Sequence, residues 1–171
     1  MIKIAFTTML LCISIFVSEA QNSKKEDKNQ KKEAQYQNVL ALIQSENFEF
    51  TARKANPQGG RQIDLTTRQN FMRIANKKAS ADMPYFGRAF SGGYSGSDGG
   101  VQFDGPMELY DVQQNDKKRR VIVKFKVKGS GDTYTCTLNI SSLESASLSV
   151  LSNKKQVINY TGTIQAIPEN K

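Results

Sequence analysis

RRVIVKFKVK, running from Arg119 to Lys128, places Val121, Val123, Phe125 and Val127 on one side of an extended chain and Lys124, Lys126 and Lys128 on the other. Successive side chains of a strand point to opposite faces, so this segment reads as a strand with one oily and one wet side, as an antiparallel sheet solvated on one face requires. After the turn Gly129-Ser130-Gly131-Asp132 the alternation resumes. Tyr134, Cys136, Leu138 and Ile140 now interleave with Thr133, Thr135, Thr137 and Asn139. Two alternating runs joined by glycine, serine and aspartate predict a hairpin.

Working outward, the same period recurs along most of the chain. Phe48, Phe50 and Ala52 alternate with Glu49 and Thr51, and Gln62 to Thr66 alternates again after the turn-rich Ala55 to Gly60. Phe71 to Ala75 and Ala79 to Met83 are separated by Asn76-Lys77-Lys78, and Pro84 stops the second of them. Val101 to Phe103 and Met107 to Gln114 are read as a further pair, and Ala146 to Leu151 and Val157 to Ile164 close the chain. The spacing predicts about ten strands in a mainly β fold. No long helix interrupts them, which excludes parallel crossovers and leaves an antiparallel meander forming a barrel-like or sandwich domain. Closure into a barrel would remove exposed edges.

Before the strands, Tyr36, Val39, Leu40 and Ile43 share one stripe at helical spacing. The period predicts an amphipathic helix from Glu33 to near Asn47, covering an open end or one face of the sheet. Further upstream, Gln21 to Lys32 is polar and Lys-rich and is read as a flexible leader. Met1-Ile2-Lys3 followed by apolar Ile4 to Val17 has the form of a secretory signal, and Ser18 and Ala20 supply the small residues a signal peptidase reads. Cleavage is expected after Ala20. Bulky Leu11 before Cys12 argues against a lipid-attachment site. The domain organisation is then a signal peptide over 1–20, a leader over 21–32 and one β-rich domain with its helix over 33–165. No second apolar stretch has the length to span a bilayer, so no transmembrane segment is expected after cleavage. The address is periplasmic or secreted.

Composition narrows the chemistry. The chain has 24 Lys and Arg against 16 Asp and Glu, a formal net charge of +8, and no His. A basic exported protein meets anionic envelope components or carbohydrate more readily than nucleic acid, and no nucleic-acid partner is expected. Beyond the signal, Cys136 is the single thiol, so no intramolecular disulfide forms; on its alternating strand it belongs to the buried side. Without His, and with one Cys, the usual zinc sites and the Ser-His-Asp and Cys-His nucleophilic arrangements cannot be assembled. No cofactor, metal or catalytic residue is assigned.

The least ordinary stretch is PYFGRAFSGGYSGSDGG, Pro84 to Gly100. Aromatic faces stack on sugars or bases, and an Arg grips carboxylate or phosphate with two parallel hydrogen bonds, so Tyr85, Phe86, Arg88 and Tyr94 are candidate ligand-binding residues. Tyr85, Phe86 and Phe90 equally suit a plug that fills the sheet while the glycines turn the backbone. The glycines make no P-loop, since no Lys-Ser or Lys-Thr pair follows and no helix begins there. One calcium-type nonapeptide turn is approximated at Gly92 to Asp98, but it carries an extra residue and does not repeat. Paired carboxylates for hydrolysis would come from Asp64, Asp82, Asp98, Asp104, Glu108 and Asp111, and nothing in the pattern selects two of them.

Three blocks carry a resemblance: ANPQGGRQIDLT from Ala55 to Thr66, PYFGRAF from Pro84 to Phe90, and DGGVQFDG from Asp98 to Gly105. In this order, after a signal and a short Lys-rich helix, they resemble the exported bacterial family known as domain of unknown function 4251, over about Glu33 to Ile164. The resemblance implies an envelope-located, predominantly β domain and implies no reaction. The family-typical positions are Asn56, Pro57, Gly60, Arg61, Tyr85, Phe86, Gly87, Arg88, Gly99, Gly100 and Gly105. Backbone geometry accounts for the glycines and the proline. It does not account for Arg61 and Arg88, and Arg61 therefore joins the candidate ligand-binding residues. The leading expectation is a non-enzymatic binding domain for an anionic or sugar-like envelope ligand. The alternatives are a carboxylate-dependent hydrolase and a structural cell-envelope protein.

Overall fold

Residues 25–88, 90, 100–129 and 131–167 are described by the computed structural model. The chain divides into two units, Met1–Gln35 and Tyr36–Lys171. In the first, residues 25–35 are helical with every side chain exposed, the opening of helix α1, which runs over residues 25–44. The polar run expected as a flexible leader is thus helical over 25–32. Its Lys, Glu and Gln are good helix formers, and Asp27 and Lys31 stand four apart, the spacing at which opposite charges support a helix.

The described residues of the second unit form nine strands: β1 (Phe48–Pro57), β2 (Ile63–Asp64), β3 (Phe71–Ala75), β4 (Lys78–Met83), β5 (Val101–Asn115), β6 (Arg120–Gly129), β7 (Asp132–Ser142), β8 (Ser145–Ser152) and β9 (Ile158–Ala166). All pairings are antiparallel between successive strands, except that β1 bonds to β3 as well as to β2, and β1 also pairs with β9. That last pairing closes eight strands into a barrel and leaves β2 as a short extra strand on the far end of β1. Closure decides for a barrel over a sandwich.

The count is nine because β5 is one strand where sequence reading expected two. Gly105 and Pro106 have the look of a turn, but Pro106 is the register partner of Lys78, and Met107 N–H donates to the Lys77 carbonyl at 3.1 Å. The first part of β5 pairs with β4 and its second part with β6, so the strand bridges two neighbours in succession. Between Glu108 and Asp111 the register shifts, and Leu109 takes the left-handed backbone with φ 54°.

Period-two patterning sets what fills the barrel. The inward row Val121, Val123, Phe125 and Val127 of β6 faces Ile140, Leu138, Cys136 and Tyr134 of β7 through direct register partners, and all are buried. Phe48, Phe50, Met72, Met83, Leu148, Ile158 and Tyr160 are among the other large side chains of the interior. Each large apolar side chain withdrawn from water contributes about 1.5–3 kcal/mol, and an eight-stranded barrel is just wide enough for side chains to fill. From the second unit's part of α1, Tyr36, Val39 and Ile43 join this core, and Tyr36 Oη donates to Asp116 Oδ1 at 2.7 Å in the turn between β5 and β6. Residues 36–44 of the helix therefore cover that end of the barrel.

Candidate functional site

At the opposite end stand the β4–β5 and β8–β9 connections, and hydrogen bonds join them. Gln156 N–H donates to the Arg88 carbonyl at 3.1 Å, and Phe90 N–H donates to the Lys154 carbonyl at 2.7 Å. These two bonds are the rungs of a short antiparallel bridge. The Tyr85 hydroxyl lies 2.9 Å from the Arg88 carbonyl oxygen and 3.1 Å from that of Gln156, so its proton serves both sides of the bridge. From inside the barrel, the buried Tyr160 hydroxyl donates to the Pro84 carbonyl at 2.8 Å. Pro84 to Arg88, together with Phe90, thus form a strap anchored to β9 and to the loop before it. The aromatic segment closes this end: Tyr85 is half-buried and packs against the core.

What the strap leaves outside is Phe86, 40% exposed, Phe90, 68% exposed, and the exposed Arg88. The Arg88 guanidinium has no hydrogen-bond or ion-pair partner among the described residues, and neither has that of Arg61. Arg61 is exposed in the turn leading into β2, which follows the strand end that pairs with the start of β9. The structure therefore joins Tyr85 and Arg88 through hydroxyl and backbone, with Phe86 next in the chain, and sets Arg61 at the same end of the barrel, with no hydrogen bond to them. Tyr94 lies outside the described residues.

Several residues here were not singled out from sequence. A pocket of about 350 Å3 is lined by Gln102, Asp132, Tyr134, Lys154 and Lys155. Lys155 Nζ donates to the Gly100 carbonyl and stands 5.3 Å from the centre of the Tyr85 ring. Burial holds the Lys155 ammonium below its ordinary pKa, with the Asp132 carboxylate pulling the other way. Burial likewise raises the Tyr134 phenol, and the charge of Asp132 adds to it. Asp132 is held by the Ser152 hydroxyl, which donates to its Oδ2 at 2.5 Å and accepts from the backbone N–H of Lys154 and Lys155. The run SNKKQ, Ser152 to Gln156, offered two adjacent lysines between predicted strands. Nothing in it pointed to the aromatic segment far upstream.

Five of the six carboxylates weighed for hydrolysis are described, and all five are exposed on the outer wall. Asp64 accepts from Thr66, Glu108 pairs with Lys128 at 3.1 Å, and Asp111 accepts from Gln113. Asp82 and Asp104 share an open groove of about 560 Å3, where Gln102 Nε2 donates to Asp82 Oδ1 at 3.0 Å. Asp98 lies outside the described residues. Among the described residues no group of three His, Cys, Asp or Glu could hold a metal ion, and no helix is long and apolar enough to cross a membrane. Burial pushes the Cys136 thiol far up, away from the reactive thiolate.

The sequence model of the family described as domain of unknown function (DUF4251) matches residues 30–164. The chain belongs to the DUF4251 family. The matched span is nearly that inferred from the three blocks. The crystal structure of a DUF4251 family protein from Bacteroides eggerthii DSM 20697 is similar to this chain, with a TM-score of 0.59 and 17% identity over 78% of this chain and 88% of that one. At that identity the likeness shows a shared DUF4251 fold. No curated protein matches the sequence.

Proposed function

We propose that this DUF4251 protein is exported to the periplasm or beyond and acts there, without catalysing a reaction, as a binding domain for an anionic or sugar-like ligand of the cell envelope. The observation that carries the reading is the bridge between the β4–β5 strap and the β8–β9 loop. It places exposed Arg88, Phe86 and Phe90 next to a pocket lined by Lys154 and Lys155. Cations take the anionic group, aromatic faces take the flat face of a sugar, and the bridge fixes both in advance, which lowers the entropy lost on binding. Export is supported by the amino-terminal pattern ending at Ala20.

A thermal-shift panel of neutral and anionic envelope saccharides tests the binding. The chain is expected to be stabilised by at least one of them, and an Arg88→Ala, Lys154→Ala double variant to lose about a hundredfold or more in affinity, since each charge-assisted hydrogen bond is worth roughly 1.5–3 kcal/mol. Unchanged affinity in that variant rejects the site. The hydrolase reading draws on the groove shared by Asp82 and Asp104. Turnover of an envelope glycan, abolished by Asp82→Asn, would establish it instead.

A further inference from the structure

Away from the strap, the outer wall has a hollow of about 430 Å3 where β7, β8, β9 and β1 run side by side. A barrel wall is convex, so a hollow on it needs a cause. Against β9, the register of β1 shifts between Ala52 and Lys54, leaving Arg53 as the extra residue of a bulge. A bulge re-aims side chains: Ala52 and Ala55 are buried, and Arg53 and Lys54 in succession are both exposed. A second shift lies in β7, between Ile140 and Ser142. Between the two bulges the inward row shrinks to Ala146, Gly162 and Ala52, register partners of one another, which lets the wall sink.

The outward row across the same strands is Asn139, Ser147, Thr161 and Lys54, each the register partner of the next. Every one of them carries a hydrogen-bond donor. Arg53 and Arg120 add two guanidiniums, which have no hydrogen-bond or ion-pair partner among the described residues. Lys54 also feels Asp64, its register partner on β2, and Glu144 in the β7–β8 turn brings one carboxylate to the hollow.

We propose that this hollow binds an anionic sugar, a saccharide unit bearing a phosphate or carboxylate group. The guanidiniums match the geometry of an oxyanion, and the amide and hydroxyls match ring hydroxyls. Glu144 selects among anions: it accepts a hydrogen bond from a sugar hydroxyl and repels bare phosphate. The volume falls in the range that small ligands occupy. None of the residues lining the pocket beside the strap lines this hollow, so the inference stands apart from the function proposed above.

Calorimetric titration of the full chain with glucose 6-phosphate, glucuronate, glucose and inorganic phosphate tests it. At least one of the two anionic sugars is expected to bind saturably, more than tenfold tighter than glucose or phosphate; the one that binds tells which anionic group is preferred. Arg53→Gln and Arg120→Gln should each weaken that binding about tenfold or more, with the thermal midpoint unchanged because both side chains are exposed. Glu144→Gln should narrow the gap between sugar and inorganic phosphate, and Arg88→Gln at the strap should leave it unaltered. Absence of saturable binding by both anionic sugars overturns the proposal. So does binding that survives the Arg53→Gln, Arg120→Gln double variant, that phosphate alone matches, or that Arg88→Gln removes.

Discussion

Gly162 is the residue on which closure of the barrel turns. A Cβ there would run into the Thr51 carbonyl oxygen of the neighbouring strand and come within 2.9 Å of its carbon, both backbone atoms with no room to give. Gly162→Ala is expected to destabilise the protein by about 1–3 kcal/mol, the usual cost of forcing atoms into a packed region, read as a lower urea midpoint. Gly105 is the control. An added Cβ there meets nothing closer than 3.5 Å, so Gly105→Ala should shift the midpoint little. Glu49 shows the other way one residue ties the seam. Though it is charged, it is 6% exposed, and its carboxylate accepts from Arg73 of β3, Gln165 of β9 and Thr51 beside it. Arg73 and Gln165 are its register partners on either side, so the bonds cross both pairings of β1.

At the scale of elements, the strap between β4 and β5 is the feature that decides what this end of the barrel can do. Besides the packing of Tyr85, its hold is polar: two backbone bonds to the β8–β9 loop, the shared hydroxyl of Tyr85 and the Tyr160 hydroxyl on the Pro84 carbonyl. Tyr85→Phe keeps the packing and removes only the hydroxyl. It should cost about 0.5–1.5 kcal/mol, and amide exchange at Phe90 and Gln156 should quicken while that of the β6–β7 amides stays slow. Equal acceleration everywhere would mean that the strap is not a separate opening unit. The aromatic segment was legible as unusual from its composition, and the structure separates its aromatics. Tyr85 closes the barrel end while Phe86 and Phe90 remain on the surface. Its partner loop was not legible, because Lys154 to Gln156 reach it only once the meander has closed. Neither was the pair Arg53 and Lys54. A bulge interrupts strict alternation, and in sequence that interruption cannot be told from the end of a strand.

Across the whole molecule, buried phenols set the response to alkali. Tyr110 is pushed up to about 12, by burial first and then by the charge of Glu46, against an ordinary value of 10.0. Burial raises Tyr85, Tyr134 and Tyr160 as well. In the unfolded chain these phenols lose their protons near pH 10, whereas the native state holds them to higher pH. Their stabilisation is complete below pH 10 and declines as pH climbs through 10 to 12, because the unfolded state is then the one that releases protons. Lys155 acts in the opposite sense, since burial lowers its pKa, and its contribution rises only up to the unfolded lysine value near 10.4. Four phenols outweigh one ammonium. Urea midpoints measured from pH 8 to pH 11.5 should fall above pH 10. Tyrosinate absorbance should report fewer than the six tyrosines ionised until the β-sheet circular dichroism signal is lost. Ionisation of all six with that signal intact would contradict the burial of these phenols.

By itself the amino-acid sequence determined the class of fold, the strand segments around β6 and β7, the inward identity of Cys136 and the amphipathic stripe of α1. All of these rest on local periodicity, which burial on one side of a strand or helix imposes directly on neighbouring residues. Only the tertiary structure decided that the sheet closes through β1 and β9, that β5 runs unbroken past Gly105 and Pro106, and that the strap meets the β8–β9 loop. It alone brought Arg53, Lys54 and Arg120 around one hollow. Each of these depends on register between strands distant in the chain, and register arises from packing many side chains at once, which no short window of residues records.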